Sequence, residues 1–305
     1  MGSGSWSTRD FADYTCNTKM MKMDDRGRLD SSYGVQDIFT EKRLHPLLNP
    51  KGVIRECCEN SEHPNTMPVI LALDVTGSMG RTATEIAKGL SVLMTKLYQE
   101  IPDIEIMVMG IGDFVYDAAP LQVSQFESDI RIAEQLDKIY FEGHGGGNMS
   151  ESYSSAWYFG AFHTKLDCWK RGKKGIIITM GDELLNPYLP GDKITRFIGD
   201  NNQGDIETST IYNDVKDKYE LFHIQVKHNY TAVERTPAIA DSFKKVIGDQ
   251  NYCECENVDT INDMIFDIIK SYSDIRDSFV QPHTTSDIVS SNSNPGFDQN
   301  GDVVW

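Results

Sequence analysis

Apolar runs of strand length alternate with helical periods along the middle of this chain. Residues 69–73, 104–109 and 176–179 are almost entirely apolar, which is typical of strands buried on both faces of a sheet. Residues 82–99 place apolar side chains at helical spacing on one stripe. This alternation predicts an α/β fold with a doubly wound, mostly parallel sheet flanked by helices. The three runs should be neighbouring parallel strands whose carboxyl ends share one edge.

The remaining pattern completes the sheet and sets the predicted domain limits. Further strands are predicted at 120–126, 221–226 and 251–256, and further helices at 129–139, 150–169, 239–246 and 260–272. Residues 1–65 scatter aromatic side chains among polar ones and are interpreted as an N-terminal extension. Residues 66–275 then form the α/β domain. Residues 276–305 form a polar C-terminal tail.

Three oxygen-bearing side chains follow the first apolar run. Asp74, Thr76 and Ser78 stand at alternate positions, just before the helical pattern begins. In a tight loop this spacing can direct a carboxylate and two hydroxyls to one point, and such hard oxygen donors suit Mg²⁺ or Mn²⁺. The simpler interpretation of the same residues is a strand-to-helix turn in which a hydroxyl caps the helix.

The motif Asp74-x-Thr76-Gly-Ser78-Met resembles the metal-ion-dependent adhesion site of von Willebrand factor type A domains. The resemblance implies that family's doubly wound fold, with an antiparallel edge strand after the second strand. It also implies that Asp182 is a further metal ligand, although Met180 stands where the family usually places this aspartate. The second loop departs more clearly, because Glu151 occupies the place of the usual threonine. The glycine-rich run at 143–147 followed by a glutamate is similar to the loop of bacterial members.

Electrostatics supports a metal at this position. Asp74, Glu151 and Asp182 would bring three carboxylates to the same edge of the sheet, and their mutual repulsion and desolvation would destabilise the fold by several kcal/mol. A divalent cation removes that penalty. The predicted site therefore contains Mg²⁺ (or Mn²⁺) held by Asp74, Thr76, Ser78, Glu151 and Asp182.

The resemblance also implies a function. In the family a carboxylate from a protein partner completes the coordination of the metal, so the domain acts in protein–protein interaction and not as an enzyme. Bacterial relatives often act beside an AAA+ ATPase, which suggests a partner of that class.

A different class of protein shares part of the motif. The loop that starts at Asp74 also resembles the nucleophile loop of haloacid-dehalogenase-like phosphohydrolases, in which Asp74 would attack phosphorus with Mg²⁺ bound nearby. These enzymes need a lysine at a strand end between their motifs, but Lys173 and Lys174 precede the strand at 176–179. They also need an aspartate where Asn186 stands. These departures favour the adhesion-type interpretation.

Composition restricts the partners. The 305 residues carry a net charge of −17, which argues against nucleic acid or an anionic membrane as a partner, because both would be repelled. The six cysteines follow no disulfide-framework spacing, and the first residues lack a signal-peptide pattern. The sequence therefore predicts a cytoplasmic protein with free thiols.

Overall fold

A six-stranded sheet forms the centre of the computed structural model, which describes residues 4–142, 149–227, 235–278, 296–297 and 303–304. The strands of this sheet, in chain order, are β1 Met67–Asp74, β2 Ile104–Ile111, β3 Leu121–Val123, β4 Gly175–Gly181, β5 Tyr219–Val226 and β6 Tyr252–Cys255. Across the sheet the order is β6-β5-β4-β1-β2-β3. All neighbours are parallel except β3, which runs antiparallel to β2. The predicted parallel neighbours around β1 are confirmed.

Helices cover both faces of this sheet. The helices of the described residues are α1 Thr8–Asp13, α2 Val35–Ile38, α3 Gly80–Glu100, α4 Arg131–Leu136, α5 Ser154–Phe162, α6 Gly191–Phe197, α7 Thr208–Val215, α8 Thr236–Ile247 and α9 Ile261–Ser278. The apolar side chains of α3 and α9 belong to one core cluster, and those of α5, α7 and α8 belong to another. A mixed α/β architecture with a mostly parallel central sheet is therefore confirmed.

Strand β1 separates these two cores. Leu71 and Leu73 point into the core with α3 and α9, whereas Ile70 and Ala72 point into the opposite one. All eight residues of β1 are buried, because a central parallel strand has helices on both sides. Its last residue, Asp74, therefore places a carboxylate at the carboxyl edge of the sheet, at the end of an apolar strand.

The prediction of one helix over residues 150–169 is wrong in part. Helix α5 is shorter, and it lies between two short strands, Ser150–Glu151 and Thr164–Leu166. The first strand pairs in parallel with Leu184–Leu185, and the second pairs in parallel with Arg55–Cys57. The residues of these two short strands are not helical because their backbone groups form hydrogen bonds with segments that are distant in the chain. The spacing of apolar residues does not indicate such partners. The other predicted elements are present, with different end residues.

The N-terminal region contributes to the core. Phe11, Ile38 and Phe39 are buried in the cluster that contains α3. Outside the central sheet, Tyr188–Leu189 pairs with Ile206–Glu207, and Gly296–Phe297 pairs with Val303–Val304, both antiparallel. All six cysteines are free thiols. Within the described ranges, every helix is too short or too polar to cross a membrane.

Candidate metal centre

The candidate site begins where β1 ends. Asp74 is the last residue of β1, and Thr76 precedes a single 3₁₀ turn, Gly77–Met79, that leads directly into α3. The amide of Val75 still donates to the Ile111 carbonyl of β2 at 2.9 Å. The loop is therefore anchored to the sheet on one side and to a 21-residue helix on the other, which fixes the direction of its side chains.

Both carboxylate oxygens of Asp74 accept hydrogen bonds. Asp74 Oδ1 accepts from the backbone N of Thr76 at 2.8 Å and from Thr76 Oγ1 at 2.6 Å. Asp74 Oδ2 accepts from the hydroxyl of Tyr153 at 3.0 Å. The side chain is completely buried, so these bonds replace water and hold the carboxylate in one orientation.

Ser78 and Asp182 extend the same set of contacts. Thr76 Oγ1 lies 3.4 Å from Ser78 Oγ, which donates to Asp182 Oδ1 at 3.0 Å. Asp182 is buried and follows β4, the strand next to β1. Four of the predicted site residues thus form one continuous group of oxygens, although two of them are 104 residues apart in the chain.

Glu151 lies near this group, but the secondary structure around it differs from the predicted helix. It belongs to the short strand Ser150–Glu151 and not to the opening turn of a helix. Its side chain is buried, and Glu151 Oε2 has no hydrogen-bond partner within the described residues. The same is true of Asp113 Oδ2, in the loop that follows β2. Buried carboxylate oxygens without partners are unfavourable unless a proton or a cation compensates them.

The electrostatics of the centre reflect this crowding. Burial, with the charge of Asp182 as the next cause, raises the pKa of Asp74 to about 7. Burial, followed by the charges of Asp74, Asp117 and Asp113, raises the pKa of Glu151 to about 10. Burial, with the charge of Asp74 next, also raises the pKa of Tyr153 well above its usual value, so its phenol remains a neutral donor. Mutual repulsion between buried carboxylates thus contributes to the raised pKa values of Asp74 and Glu151.

The available donors fit one class of ion. No three Asp, Glu, His or Cys side chains converge closely enough to hold a metal by themselves in the parts of the chain that the structure describes. An ion beside Asp74 and Asp182 would therefore also need the hydroxyls of Thr76 and Ser78. Each hydroxyl donates its proton to a carboxylate, so a lone pair of its oxygen can be directed to a cation. An all-oxygen set with few carboxylates suits hydrated Mg²⁺ or Mn²⁺ and disfavours softer metals.

Sequence reasoning missed Tyr153. Its hydroxyl donates to Asp74 and accepts from the backbone N of Glu183 at 3.4 Å, so it joins the loops after β1 and β4. A tyrosine next to an aromatic-rich helix looks like an ordinary core residue, and the pattern gives no signal of this contact. Glu183 itself forms an ion pair with Arg235. The glycine-rich run at 143–147 lies outside the described residues.

Comparisons with known proteins identify no family. No protein-family model and no curated protein matches the chain. Among solved structures, it is similar to the open conformation of the pilus adhesin SpaC from Lactobacillus rhamnosus GG, at 11% identity and a TM-score of 0.46 over 75% of this chain and 31% of SpaC. It is also similar to a D319A mutant of the PilB minor pilin from Streptococcus sanguinis, at 10% identity and a TM-score of 0.46 over 71% of this chain and 64% of that protein.

A third similar structure is proximal thread matrix protein 1 from the mussel byssus, at 10% identity and a TM-score of 0.46 over 67% of this chain and 48% of that protein. The chain thus spans about a third of the length of SpaC and less than two thirds of the other two proteins. Likeness at this level gives no information about function.

Proposed function

We propose that this chain is a doubly wound domain of the von Willebrand factor A type that binds a protein partner through a Mg²⁺ (or Mn²⁺) site. The observation that carries the proposal is the group of Asp74, Thr76, Ser78 and Asp182 at the carboxyl ends of two neighbouring central strands. In open parallel sheets this edge is where ligands bind. The single antiparallel edge strand next to β2 agrees with the strand order implied by the sequence resemblance.

The side chains would make different contributions to the binding of the ion. Asp74 and Asp182 supply negative charge, and Thr76 and Ser78 supply neutral oxygens whose protons already bond to those carboxylates. Glu151, buried beside them, is available to bind the ion or a water on it. Tyr153 holds Asp74 from the protein side, which leaves the opposite side for the ion. When bound, the ion offsets the carboxylate charge and attracts an anionic group of the partner.

A carboxylate is the partner group that this arrangement suits best. A divalent ion with oxygen ligands accepts a further hard oxygen readily, and an aspartate or glutamate of a protein can supply it. A protein of the AAA+ ATPase class is the partner that the resemblance suggests. The net charge of −17 disfavours nucleic acids and anionic membranes.

Catalysis is the less favoured function. A nucleophilic aspartate needs an oxygen able to attack and a cation that holds the transferred group. Lys173 and Lys174 precede β4 at the amino edge of the sheet, and Asn186 donates to the hydroxyl of Ser154. These placements support a binding role for Asp74.

Calorimetry tests the metal site directly. Titration of Mg²⁺ and Mn²⁺ should show one site in the wild-type chain and none in Asp74→Ala. Asp192→Ala removes an exposed aspartate of α6 and serves as the matched control, with binding unchanged. A wild-type chain that binds neither ion, or Asp74→Ala binding as well as Asp192→Ala, would refute the site.

Partner capture tests the interaction. Proteins retained by the immobilised chain in Mg²⁺ should be lost after EDTA treatment, and they should be absent from the Asp74→Ala column but present on the Asp192→Ala column. Retention that ignores both EDTA and Asp74→Ala would contradict metal-dependent binding. Mg²⁺-dependent hydrolysis of a phosphomonoester that Asp74→Asn abolishes would instead establish the phosphohydrolase.

A further inference from the structure

A cavity of about 950 Å³ lies at the amino edge of the sheet, opposite the candidate metal centre. Its walls come from β5, β6, the second half of α9 and the turn that precedes β4. We call it the amino-edge cavity. Its size is within the range of concave binding sites, and none of its lining residues takes part in the site at Asp74.

The inner wall of the amino-edge cavity is apolar. Phe222 and Tyr272 meet edge to face with their ring centroids 6.3 Å apart, and both line the cavity with Cys253 and Ile268. Ile275 adds an aliphatic side chain that is 54% exposed. Apolar surface that gathers in one concave place, and is not scattered over the exterior, is typical of a binding site.

Basic side chains around the cavity already have acceptors within the chain. The Arg171 guanidinium pairs with the Glu59 carboxylate at 2.6 Å, and the Arg276 guanidinium donates to the Thr66 carbonyl at 3.1 Å. The Lys173 ammonium donates to the Arg276 carbonyl. These contacts leave the apolar wall as the surface that an occupant would cover.

Helix α9 brings the end of the chain to this cavity. Ile268, Ser271, Tyr272 and Ile275 line it at spacings of three and four residues, which is one face of a helix. The described part of α9 ends at Ser278, close after these residues. The C-terminal tail therefore follows on from the rim of the cavity, and a segment tethered there is present at a high local concentration.

The tail carries an apolar element that needs a packing surface. Gly296–Phe297 pairs with Val303–Val304 in antiparallel register, with Phe297 opposite Val303. An isolated two-stranded hairpin is at best marginally stable in water, and packing against another part of a protein stabilises it. The 24 residues at 279–302 can span up to about 80 Å when extended, so both strands are within reach of the cavity.

We propose that the amino-edge cavity receives the paired strands Gly296–Phe297 and Val303–Val304 of the same chain. Their apolar residues would cover Phe222, Tyr272 and Ile275, and the cavity would supply the packing surface that an isolated hairpin lacks. The inference goes beyond the proposed metal-dependent binding, because the cavity and the metal centre share no residue and lie at opposite edges of the sheet.

The thiol of Cys253 reports on the occupant, because it lines the cavity and is half-buried. Its alkylation by iodoacetamide in the full chain, followed by mass spectrometry, should be slow. The double variant Val303→Asp/Val304→Asp should speed it at least about tenfold, because removal of one buried valine shifts an equilibrium by about that factor. Ile288→Asp/Val289→Asp is the matched control, with the same charges in another apolar pair of the tail. It should leave the rate at the wild-type value.

Other cysteines separate release of the two strands from unfolding. Cys16 is exposed and gives the rate of an accessible thiol, whereas Cys57 and Cys168 are buried and should stay unreacted in every folded chain. The thiolate is the reactive form, so all chains are compared at one alkaline pH. Among these four cysteines, only Cys253 should react faster in the double variant.

A cross-link shows which chain supplies the strands. Val304→Cys should form a disulfide with Cys253 when diamide is added as the oxidant, seen as a linked peptide from a monomer on a non-reducing gel. Val289→Cys should form none. Ser271 is an exposed residue of α9 that lines the cavity, so Ser271→Trp should fill the cavity without entering the core and should suppress the link.

Three results would overturn the proposal. They are equal alkylation rates of Cys253 in the wild type and in Val303→Asp/Val304→Asp, an equal effect of Ile288→Asp/Val289→Asp, and a Val304→Cys disulfide that joins two chains. The last result would assign the cavity to the strands of a second copy and not to those of the same chain.

Discussion

Replacement of Tyr153 by phenylalanine is the sharpest test of how the candidate metal centre is organised. The substitution keeps the aromatic ring, which contacts the rings of His223 and Phe243 edge to face. It removes only the hydroxyl that donates to Asp74 Oδ2 at 3.0 Å. The side chain is completely buried, so water cannot replace the lost donor without rearrangement of the core.

The expected magnitude follows from the kind of contact removed. A buried hydrogen bond to a charged group stabilises a protein by about 1.5 to 3 kcal/mol. Removal of a residue that hydrogen-bonds to a metal ligand, and so orients it, typically weakens metal binding by about 10- to 100-fold. We therefore expect Tyr153→Phe to lower the free energy of unfolding by about 2 kcal/mol and to weaken Mg²⁺ binding by at least about tenfold.

A matched variant separates these two effects. Tyr158 is also buried, and its hydroxyl donates to Asp200 Oδ2 at 2.6 Å, away from the site. Tyr158→Phe should lower stability in urea titrations but leave Mg²⁺ affinity, measured by calorimetry, at the wild-type value. Unchanged Mg²⁺ affinity in Tyr153→Phe, or the same loss in both variants, would refute the role assigned to Tyr153.

Three further predictions concern the surroundings of the site and one buried carboxyl. Burial raises the pKa of Glu105 from 4.5 to about 7, so the folded state binds a proton that the unfolded state releases, and stability should fall as the pH rises between these values. Glu105→Gln should make that slope shallower in urea titrations at several pH values, and the remaining slope comes from other carboxyls with raised pKa values, such as Asp74 and Glu151. A Cβ on Gly181 would overlap the Tyr153 hydroxyl, so Gly181→Ala should destabilise the protein by about 1 to 3 kcal/mol. Gly204→Ala, with open space around it, should not change the urea midpoint. Arg235 forms an ion pair beside the site, and Arg235→Gln should strengthen Mg²⁺ binding about two- to threefold at low salt, an effect that high salt should suppress.

The middle of the central sheet could be predicted from the sequence because β1, β2 and β4 are nearly unbroken apolar runs. Asp74, Thr76 and Ser78 stand in sequence beside the first run, so their grouping followed from local spacing alone. Asp182 was identified through the resemblance to A-type domains, and the α/β pattern agrees with that choice because β4 neighbours β1. Local periodicity and the rules of parallel sheets were sufficient for the strands and for the first three residues, but not for Asp182.

The contacts that were not predicted join segments that are far apart in the chain. Ser150–Glu151 leaves the expected helix because it pairs with Leu184–Leu185, and apolar spacing carries no information about such a partner. The hydroxyl of Tyr153 reaches Asp74 across 79 residues of chain. Its role follows from the packing of the core and not from any motif.

The position of β1 at the middle of the sheet also has a consequence for how the chain folds. Strand β1 pairs with β2 soon after it in the chain, but Ser78 and Asp182 are 104 residues apart. Contacts between distant segments form late, because a long loop must close before they can form. The carboxylates therefore meet only after β4 has joined the sheet beside β1, and a nascent chain cannot form the centre until β4 has left the ribosome.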